Sequence, residues 1–497
     1  MTPLFVGVDA GTSAVKAIAW TQDGRVAAEG RAALALDNPA PGAWEQDAES
    51  YVDALAAACR ALGSEVDLAR VRGVAIACQR ETIVLTDDRG APVAPAITWM
   101  DDRCAEEVRE VEAELDGARL HAVTGKPPCT TPSLYKLRFL LRRLRPELAA
   151  RAPRVLDVHG FLAWRLTGAR RTSLAAADPT GLVDLTERRY HPPALRAAGV
   201  ELAQLSELVE PGALLGHLTD EAAARTGLPV GTPLFAGAGD GQAAGLGAGV
   251  DGPGRAYLNL GTALVGGVIS ESPRVSRAYR TLFAASPGRY FLETDLKGGM
   301  FTVTWLAERL FPGRLDLDAL IEAAARLPPG AEGLVVLPYW GGVMNPHWDD
   351  AARGAIVGWR GHHTAAHLLR ATLEGLAFEQ RLAFDGIERD AGPLAEIVLL
   401  GGGAKSALLR QIAADVLGAP LVCAESPEST SLGAAVLAAV GAGAHASHAC
   451  AVRAMCRTGD AVAPSADAPA YARLLREVFA KLYPALRDPL RRLSELT

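Results

Sequence analysis

The N-terminal segment alternates short apolar runs with small polar turns, which is the pattern of an antiparallel meander. The run Pro3–Asp9 predicts a strand, and Ala10–Ser13 has the composition of a turn. A second strand is predicted over Val15–Trp20, and the pair Asp23-Gly24 predicts a hairpin turn into a third strand, Arg25–Glu29. The chain therefore opens with three sequential strands and not with a strand–helix unit.

Further along, apolar residues recur at helical spacing or in short continuous runs. Helices are expected at residues 48–62, 300–310, 364–387, 406–417, 432–446 and 470–497, and strands at residues 71–77, 82–86, 334–338 and 396–400. Gly401, Gly402 and Gly403 separate the last of these strands from the helix that begins at Ser406. In such an arrangement backbone amides and a helix start can approach a ligand closely.

Two distant segments share one pattern of strand, small-residue turn and strand. The first covers residues 5–20 with Gly11-Thr12 at its turn, and the second covers residues 256–269 with Gly261-Thr262 at its turn. A spacing of about half the chain indicates duplication of a whole domain, because solenoid repeats recur every ~20–50 residues. We therefore predict two domains, residues 1–245 and 246–497, whose two turns face each other across a ligand cleft.

Composition narrows the functional classes. The chain has 497 residues, 49% hydrophobic and 22% charged, with a formal net charge of −7, so it is not a disordered or fibrous protein. The negative charge does not favour nucleic acid as a partner. No apolar run reaches the ~18 residues of a membrane span, and the first residues have no secretory pattern. The seven cysteines are scattered without a C-x-x-C pair, which predicts reduced thiols in a cytoplasmic protein.

The octapeptide that ends the first strand carries possible phosphate chemistry. Asp9 can hold the water shell of Mg²⁺, which usually takes only one or two carboxylates. Gly11, Thr12 and Ser13 offer small donors to phosphate oxygens, and Lys16 offers a positive charge. An ordinary hairpin turn with a capping aspartate explains the same residues equally well.

A second acid, Asp240, stands between glycines after a predicted strand. A carboxylate in this position can accept the proton of a hydroxyl within ~2.6–3.2 Å. The alternative is that Asp240 only caps the following helix. A dinucleotide-binding frame starting at Gly237 fails, because it requires glycine at position 242, where the chain has Gln242.

A third group lies around two predicted strand ends. Arg80 and Glu81 can bind polyol hydroxyls, and Trp99 can cover a carbon backbone; a surface ion pair and a core tryptophan are the alternatives. His363 and His367 have the i, i+4 spacing of a metal pair, but without an H-E-x-x-H motif we interpret them as structural. The chain has no P-loop and no protein-kinase motif set.

Taken together and in this order, these segments resemble the FGGY carbohydrate kinases of the actin/hexokinase superfamily. The matching segments are Asp9-Ala-Gly-Thr-Ser with Lys16, Trp44-Glu-Gln-Asp, Gln79-Arg-Glu-Thr, Ala96-Ile-Thr-Trp-Met-Asp-Asp-Arg, Gly239-Asp-Gly-Gln-Ala-Ala, Asn259-Leu-Gly-Thr and Leu399-Leu-Gly-Gly-Gly-Ala-Lys-Ser, continuing through Gln411, Ala414, Asp415 and Gly418. The resemblance covers nearly the whole chain. It implies an α/β fold of two ribonuclease H-like domains, each with a mixed five-stranded sheet, around an ATP cleft.

The resemblance also implies roles for individual residues. Asp240 corresponds to the general base, and Asp9 to the ligand that holds Mg²⁺ through water. Nucleotide contacts are implied for Gly11, Thr12, Ser13, Lys16, Gly261, Thr262, Gly402, Gly403 and Ser406, and acceptor contacts for Gln79, Arg80, Glu81, Trp99 and Asp240.

The sequence leaves the acceptor open. Gln79-Arg80-Glu81-Thr82 is similar to the glycerol kinases, but Thr131 stands where those usually carry a tyrosine, and Gly401-Gly-Gly-Ala-Lys-Ser looks more like xylulokinases. We expect ATP-dependent phosphorylation of a ketose, most simply D-xylulose, with glycerol or another polyol as the alternative. The family implies a homodimer or homotetramer. An actin-like ATPase scaffold without a sugar site is a hypothesis of another class.

Overall fold

The computed structural model describes residues 2–310 and 316–496. Its first half is built on a six-stranded mixed sheet. In spatial order the strands are Leu214–His217, Pro233–Gly239, Val71–Cys78, Leu4–Ala10, Ala14–Thr21 and Val26–Ala33. The last three form the antiparallel meander that the sequence predicts.

The second half contains a seven-stranded sheet. Its strands are, in spatial order, Arg280–Phe283, Tyr290–Leu296, Leu264–Ser270, Arg255–Leu260, Glu396–Leu400, Leu421–Ala424 and Thr458–Val462.

The two sheets share one pairing pattern. In the first, Leu4–Ala10 pairs antiparallel with the next strand of the chain and parallel with Val71–Cys78. In the second, Arg255–Leu260 does the same, with Glu396–Leu400 as its parallel partner. Five consecutive strands of the first sheet correspond in spatial order to five of the second. This confirms two similar α/β halves with mixed sheets.

The sheets are nevertheless larger than the five strands expected. Leu214–His217 adds an edge to the first sheet, while Thr458–Val462 and Arg280–Phe283 add an edge on each side of the second. An added strand satisfies N–H and C=O groups that an outer strand otherwise leaves unpaired. The polar, loop-rich sequence around these edges hides them from a search for apolar runs.

Smaller sheets and the helices surround these two layers. A four-stranded sheet contains Glu45–Gln46, Ala96–Ile97, Ile83–Thr86 and Arg154–Asp157, and strand pairs join Val183–Asp184 with Arg189–Tyr190, Arg171–Ser173 with Glu207–Val209, and Val335–Leu337 with Ala355–Val357. The α-helices are Ala48–Leu62, Ala105–Leu115, Gly117–Thr124, Ser133–Phe139, Pro146–Arg151, Val158–Thr167, Leu174–Ala177, Pro192–Ala198, Asp220–Thr226, Asp240–Gly247, Gly299–Trp305, Leu317–Ala325, Ala365–Ala391, Ala407–Leu417, Ser429–Gly441, His448–Met455, Ala468–Leu474 and Ala480–Leu496. None of the helices within the described ranges is both long enough and apolar enough to cross a bilayer.

The helix Ala48–Leu62 has the bounds that its sequence predicts. The Asp47 side chain accepts a hydrogen bond from the Glu49 amide at its start, and Gly63 follows its last turn. Tyr51 and Leu55 lie on its buried face and pack into the core of the first half.

Other helices differ from their predicted bounds. The segment expected to be helical to residue 446 ends at Gly441, and Gly443 adopts a left-handed φ of 76°, which ends the turn that follows. The C-terminal segment is interrupted at Leu475–Phe479, where the helix widens between Ala468–Leu474 and Ala480–Leu496.

The helix Ser429–Gly441 comes from the second half of the chain but packs on the first sheet. The Ser431 hydroxyl donates to the Gly7 carbonyl at 2.9 Å and accepts from Trp20 Nε1 at 3.0 Å. A Cβ on Gly7 would lie 1.9 Å from the Ser431 carbonyl oxygen, so only glycine permits this approach. The halves are thus joined by a buried interface; their division at residues 245/246, which falls in the last turn of Asp240–Gly247, stays a prediction.

Candidate functional site

Three parallel strands of the first sheet end at one edge, and polar residues singled out from the sequence follow them. Ala10 lies opposite Cys78, and Cys78 lies opposite Gly239. Residues 79–81 follow the middle strand, and Asp240 follows the outer one. Because carboxyl ends of parallel strands meet at the same edge, these side chains share one site.

Asp240 stands at the centre of this edge. Its Oδ1 lies 2.8 Å from Arg80 Nε and accepts a hydrogen bond of 2.8 Å from the Gly241 amide. A Cβ on Gly239 would lie 2.5 Å from Arg80 Cδ, so glycine is what admits the guanidinium here. The side chain of Asp240 is still 41% exposed, which leaves the carboxylate accessible to a ligand.

An irregularity in the strand before Asp240 is held by two residues that sequence reasoning missed. The pairing of Pro233–Gly239 with its neighbour shifts between Phe235 and Ala238. Within this shift the Gly237 amide donates to His159 Nε2 at 3.0 Å, and the Ser173 hydroxyl donates to the Gly237 carbonyl at 2.6 Å. Such a bulge re-aims the residues that follow, so His159 and Ser173 fix the direction of Asp240.

His159 is suited to this role because it stays uncharged. Burial lowers its pKa to about 4. Its Nδ1 faces the Thr172 hydroxyl at 3.2 Å, and that hydroxyl donates to Asp157 at 2.9 Å. The neutral ring leaves Nε2 able to accept from the Gly237 amide, and the Ser173 amide points at Nδ1 at 3.3 Å. No local motif points to this histidine, since its partner lies 78 residues away.

Asp9 and Lys16 face each other across the first hairpin, and the lysine binds a residue of the second half. Burial, and next the charge of Asp240, raise the pKa of the Asp9 carboxyl to about 7. Lys16 Nζ lies 2.6 Å from Glu428 Oε1, in the segment before Ser429–Gly441. Asp9 and Ala238 both lie opposite Ala77, so Asp9 and Asp240 stand at the same edge of the sheet.

The turn of this hairpin presents small residues. The Gly11 amide donates to the Ala14 carbonyl at 3.1 Å, which closes the turn. Thr12 is half-buried and Ser13 is exposed. Ser13 is thus open to solvent, whereas Thr12 is partly covered by neighbouring side chains.

A network of polar groups joins this turn to the acceptor residues. Trp99 Nε1 donates to the Thr12 hydroxyl at 2.9 Å, and Gln46 Nε2 donates to the Thr12 carbonyl at 2.8 Å. Gln79 Nε2 donates to Gln46 Oε1 at 3.1 Å. The Gln46 side chain is fixed in turn by the Tyr51 hydroxyl, at 2.7 Å. Gln79 and Trp99 are therefore bound directly to the predicted phosphate turn.

Arg80 and Glu81 are not a surface ion pair, because each binds a charged residue of the second half. Arg80 Nη1 lies 2.7 Å from Glu293 Oε2, and Arg280 Nη1 lies 2.8 Å from Glu81 Oε1. Glu81 adopts a left-handed φ of 59°, a conformation that a non-glycine residue holds only where its surroundings fix it. Sequence reasoning missed Arg280 and Glu293; the trace they leave is a charge in each of two largely buried strands.

The second half brings its own predicted residues together. Gly261 and Thr262 form the hairpin after Arg255–Leu260, and their carbonyls accept from the Met300 amide at 2.9 Å and the Phe301 amide at 3.2 Å. The helix Gly299–Trp305 thus begins over the hairpin.

The turn formed by Gly401, Gly402 and Gly403 lies beside the hairpin of Gly261 and Thr262. A Cβ on Gly403 would lie 2.8 Å from Leu260 Cβ, whereas no atom lies within 4 Å of one on Gly402. Ser406 caps Ala407–Leu417 by accepting from the Leu409 amide at 3.3 Å. Gly402 is exposed.

The histidine pair is structural in its hydrogen bonding. Nδ1 of His363 accepts from the Arg360 amide at 3.0 Å, and Nδ1 of His367 accepts from the Thr364 amide at 3.1 Å. Nε2 of each ring then carries the hydrogen, whereas a metal-binding histidine donates its second N–H.

The site fits hydrated Mg²⁺. In the described ranges no three acidic, histidine or cysteine side chains are arranged to enclose a metal ion. Asp9, however, is a half-buried carboxylate at the edge of the sheet, opposite Ala77. Mg²⁺ keeps several of its waters and needs only one such carboxylate, which is the donor set present here.

Comparison with known proteins agrees with this geometry. The N-terminal domain of the FGGY family of carbohydrate kinases matches residues 4–247, and the C-terminal domain of that family matches residues 256–442. The chain is 31% identical to the xylulose kinase of Escherichia coli K12 over 445 residues, 88% of this chain and 90% of the other. It is 26% identical to the gluconokinase of Bacillus subtilis, over 88% of this chain and 87% of the other.

A solved structure gives the same result. The xylulose kinase of Rhodospirillum rubrum superposes with a TM-score of 0.90 at 31% identity, covering 98% of this chain and 99% of the other. The protein therefore belongs to the FGGY family of carbohydrate kinases, ATP-dependent enzymes that use Mg²⁺ to phosphorylate a sugar.

Proposed function

We propose that this kinase transfers the γ-phosphoryl group of ATP to a hydroxyl of a ketopentose, with D-xylulose as the preferred acceptor. The observation that carries the proposal is the Asp240 carboxylate, partly exposed beside Arg80 and electrostatically coupled to Asp9. The similarity to xylulose kinases of Escherichia coli and Rhodospirillum rubrum supports the ketopentose.

In this proposal the acceptor binds against Gln79, Arg80, Glu81 and Trp99. Asp240 accepts the proton of the acceptor hydroxyl, while Arg80 holds the carboxylate in place. The freed oxygen forms a bond to the γ-phosphorus as the bond between that phosphorus and the β,γ-bridging oxygen breaks, and ADP leaves. In transfers of this kind the protein contributes mainly positioning and charge neutralisation.

The nucleotide residues divide between the halves. Gly11, Thr12, Ser13, Lys16, Gly261 and Thr262 would surround the phosphates, and Gly402, Gly403 and Ser406 the adenosine. Mg²⁺, held by Asp9 through water, neutralises charge on the phosphate oxygens when it is bound.

A polyol such as glycerol is the second candidate acceptor. It is favoured by the segment Gln79-Arg80-Glu81-Thr82, in which two charged side chains and two polar ones follow one strand. The actin-like scaffold of the sequence analysis is disfavoured by the same residues, since an ATPase without an acceptor has no use for them.

The deciding experiment is a coupled assay of ADP release with D-xylulose, D-ribulose, L-xylulose, glycerol and erythritol. The proposal requires the highest kcat/KM with a ketopentose. Highest activity with glycerol or erythritol would select the polyol alternative, and ATP hydrolysis that no acceptor changes would select the scaffold.

We also propose that the protein works in the cytoplasm, where ATP is plentiful and its seven unpaired cysteines stay reduced. A homodimer or homotetramer remains the expected assembly, to be measured by size-exclusion chromatography with light scattering.

A further inference from the structure

A chain of alternating charges lies behind the acceptor site and is built from both halves of the protein. Asp240 contacts Arg80, Arg80 contacts Glu293, Glu293 contacts Arg280, and Arg280 contacts Glu81. The contact distances lie between 2.6 and 2.8 Å. All but Asp240 are buried, so water screens these charges weakly.

Glu293 is the centre of this chain. It is completely buried, and its two carboxylate oxygens contact the Nη1 of Arg80 and the Nε of Arg280. Burial by itself raises the pKa of this carboxyl, but Arg280 and Arg80 hold it below its ordinary value, so Glu293 is ionised at working pH. Arg280 and Glu293 lie directly opposite each other on neighbouring strands.

The cluster has more negative than positive groups. Arg80, Arg280 and Lys136 stand against Asp240, Glu81, Glu293 and Asp295. The other nearby lysines already have acidic partners, since Lys126 binds Asp178 and Lys297 binds Asp350. A carboxylate entering this site would find both guanidinium groups already engaged by acids and would be repelled by the ionised Glu293 between them.

We propose that Glu293 makes the acceptor site selective for uncharged sugars and polyols over aldonates, because it neutralises Arg80 and Arg280 together. The inference rests on the proposed function and narrows it, since relatives of this chain include both xylulose kinases and gluconokinases. Glu293 acts through Arg80 and is a specificity-determining residue without touching the acceptor.

The direct test compares two ligands that differ at one carbon. D-Gluconate and D-glucitol have the same hydroxylated carbons from C2 to C6 and differ only at C1, which is a carboxylate in gluconate and a hydroxymethyl group in glucitol. Calorimetry on the wild-type protein without ATP should show glucitol binding at least about tenfold more tightly than gluconate. Equal binding, or tighter binding of gluconate, overturns the inference.

The variant Glu293→Gln keeps the shape of the side chain and removes its charge. The ratio of glucitol to gluconate affinity should fall by about tenfold, because Arg80 and Arg280 then lack one negative partner. Glu293→Asp, which restores the charge, should recover most of the discrimination. Glu271→Gln is the matched control, since Glu271 is exposed and contacts Arg289 just outside the strands of the same sheet. If Glu293 had only a structural role, Glu293→Gln would weaken the binding of both ligands equally, and that result would contradict the proposal.

Turnover separates this inference from the proposed function. If the wild-type protein phosphorylates gluconate as efficiently as D-xylulose, the inferred selectivity against aldonates is wrong, while the proposed sugar kinase activity still holds. If ligand binding is selective but no ketopentose is phosphorylated, the ketopentose proposal fails and the selectivity holds. Should Glu293→Gln not fold, the wild-type comparison of the two ligands still decides.

Discussion

Arg80 and Asp240 form an ion pair, 2.8 Å from Nε to Oδ1, in which the arginine is buried and the aspartate is 41% exposed. The arginine is fixed from behind by Glu293, so it can hold the aspartate without blocking access to it. In the proposed reaction, a carboxylate held in this way loses little entropy when an acceptor hydroxyl arrives. Arg80 thus links Asp240, in the first half of the chain, to Glu293, in the second half.

Asp240→Asn tests the base. The amide preserves size and the contact with the Gly241 amide but cannot accept the hydroxyl proton. Acceptor-dependent kcat should fall by about 10²–10⁴-fold, while ADP affinity measured by calorimetry stays within a factor of two. Asp220→Asn, an exposed position at the start of the helix Asp220–Thr226, serves as the control. A variant with near-normal turnover would refute the role.

Asp9 predicts a pH dependence of stability in the absence of Mg²⁺ and nucleotide. Its pKa is raised from 3.8 to about 7 by burial and by Asp240, so the folded state holds this proton more tightly than the unfolded state. Its contribution to folding is therefore fully present below pH ~4 and is lost as pH rises through ~7. Asp9→Asn should remove a destabilisation of the order of 4 kcal/mol at pH 8.

Thermal unfolding at pH 5 and pH 8 measures this effect. The Tm difference between Asp9→Asn and the wild type should be larger at pH 8 than at pH 5. Added Mg·ADP should stabilise the wild type more than the variant, since a cation favours the ionised carboxylate. Parallel curves for both proteins at both pH values would contradict the raised pKa.

Ser173→Ala tests whether the bulge aims Asp240. Loss of the hydroxyl leaves the Gly237 carbonyl without this donor, and we expect about 1 kcal/mol of destabilisation. The more telling change is a fall of about threefold to tenfold in kcat, with the KM for ATP unchanged. Ser447→Ala removes a helix cap of similar energetic value far from the site, and its kcat should stay at the wild-type value.

Glu428→Gln tests the ion pair between the halves. Lys16 and Glu428 are both partly exposed, so the pair contributes only ~0–1 kcal/mol to stability. Its larger effect is on the nucleotide, because Glu428 neutralises Lys16 and also repels phosphate. The KM for ATP should fall about threefold to fivefold. Glu425→Gln, in the same segment, should leave it unchanged, and a raised KM in Glu428→Gln would mean that the pair positions Lys16 instead.

The sequence predicts what local patterns can encode. The helix Ala48–Leu62 and the opening meander follow from periodicity and turn residues, and the repeated hairpin at Gly261 reveals the two halves. The charge chain could not be found this way, since Arg80 and Glu293 lie 213 residues apart. Such ion pairs form only when the two halves dock, and no spacing of residues along the chain predicts how they dock.

Gly402→Ala probes the proposed adenosine pocket. No atom lies within 4 Å of a Cβ built on Gly402, and its φ is not in the left-handed region, so the substitution should change Tm by less than about 1 °C. A methyl group there would project into space that the adenosine is proposed to fill, and the KM for ATP should rise about fivefold or more while the KM for the acceptor stays constant. The control is Gly252→Ala. A Cβ on Gly252 is equally free of contacts, and the position lies outside every predicted site. Gly403→Ala is a second comparison. Its Cβ would lie 2.8 Å from Leu260 Cβ, so this substitution should destabilise the fold as well as weaken nucleotide binding. If Gly402→Ala left ATP binding unchanged, the adenosine would have to lie elsewhere along the second half.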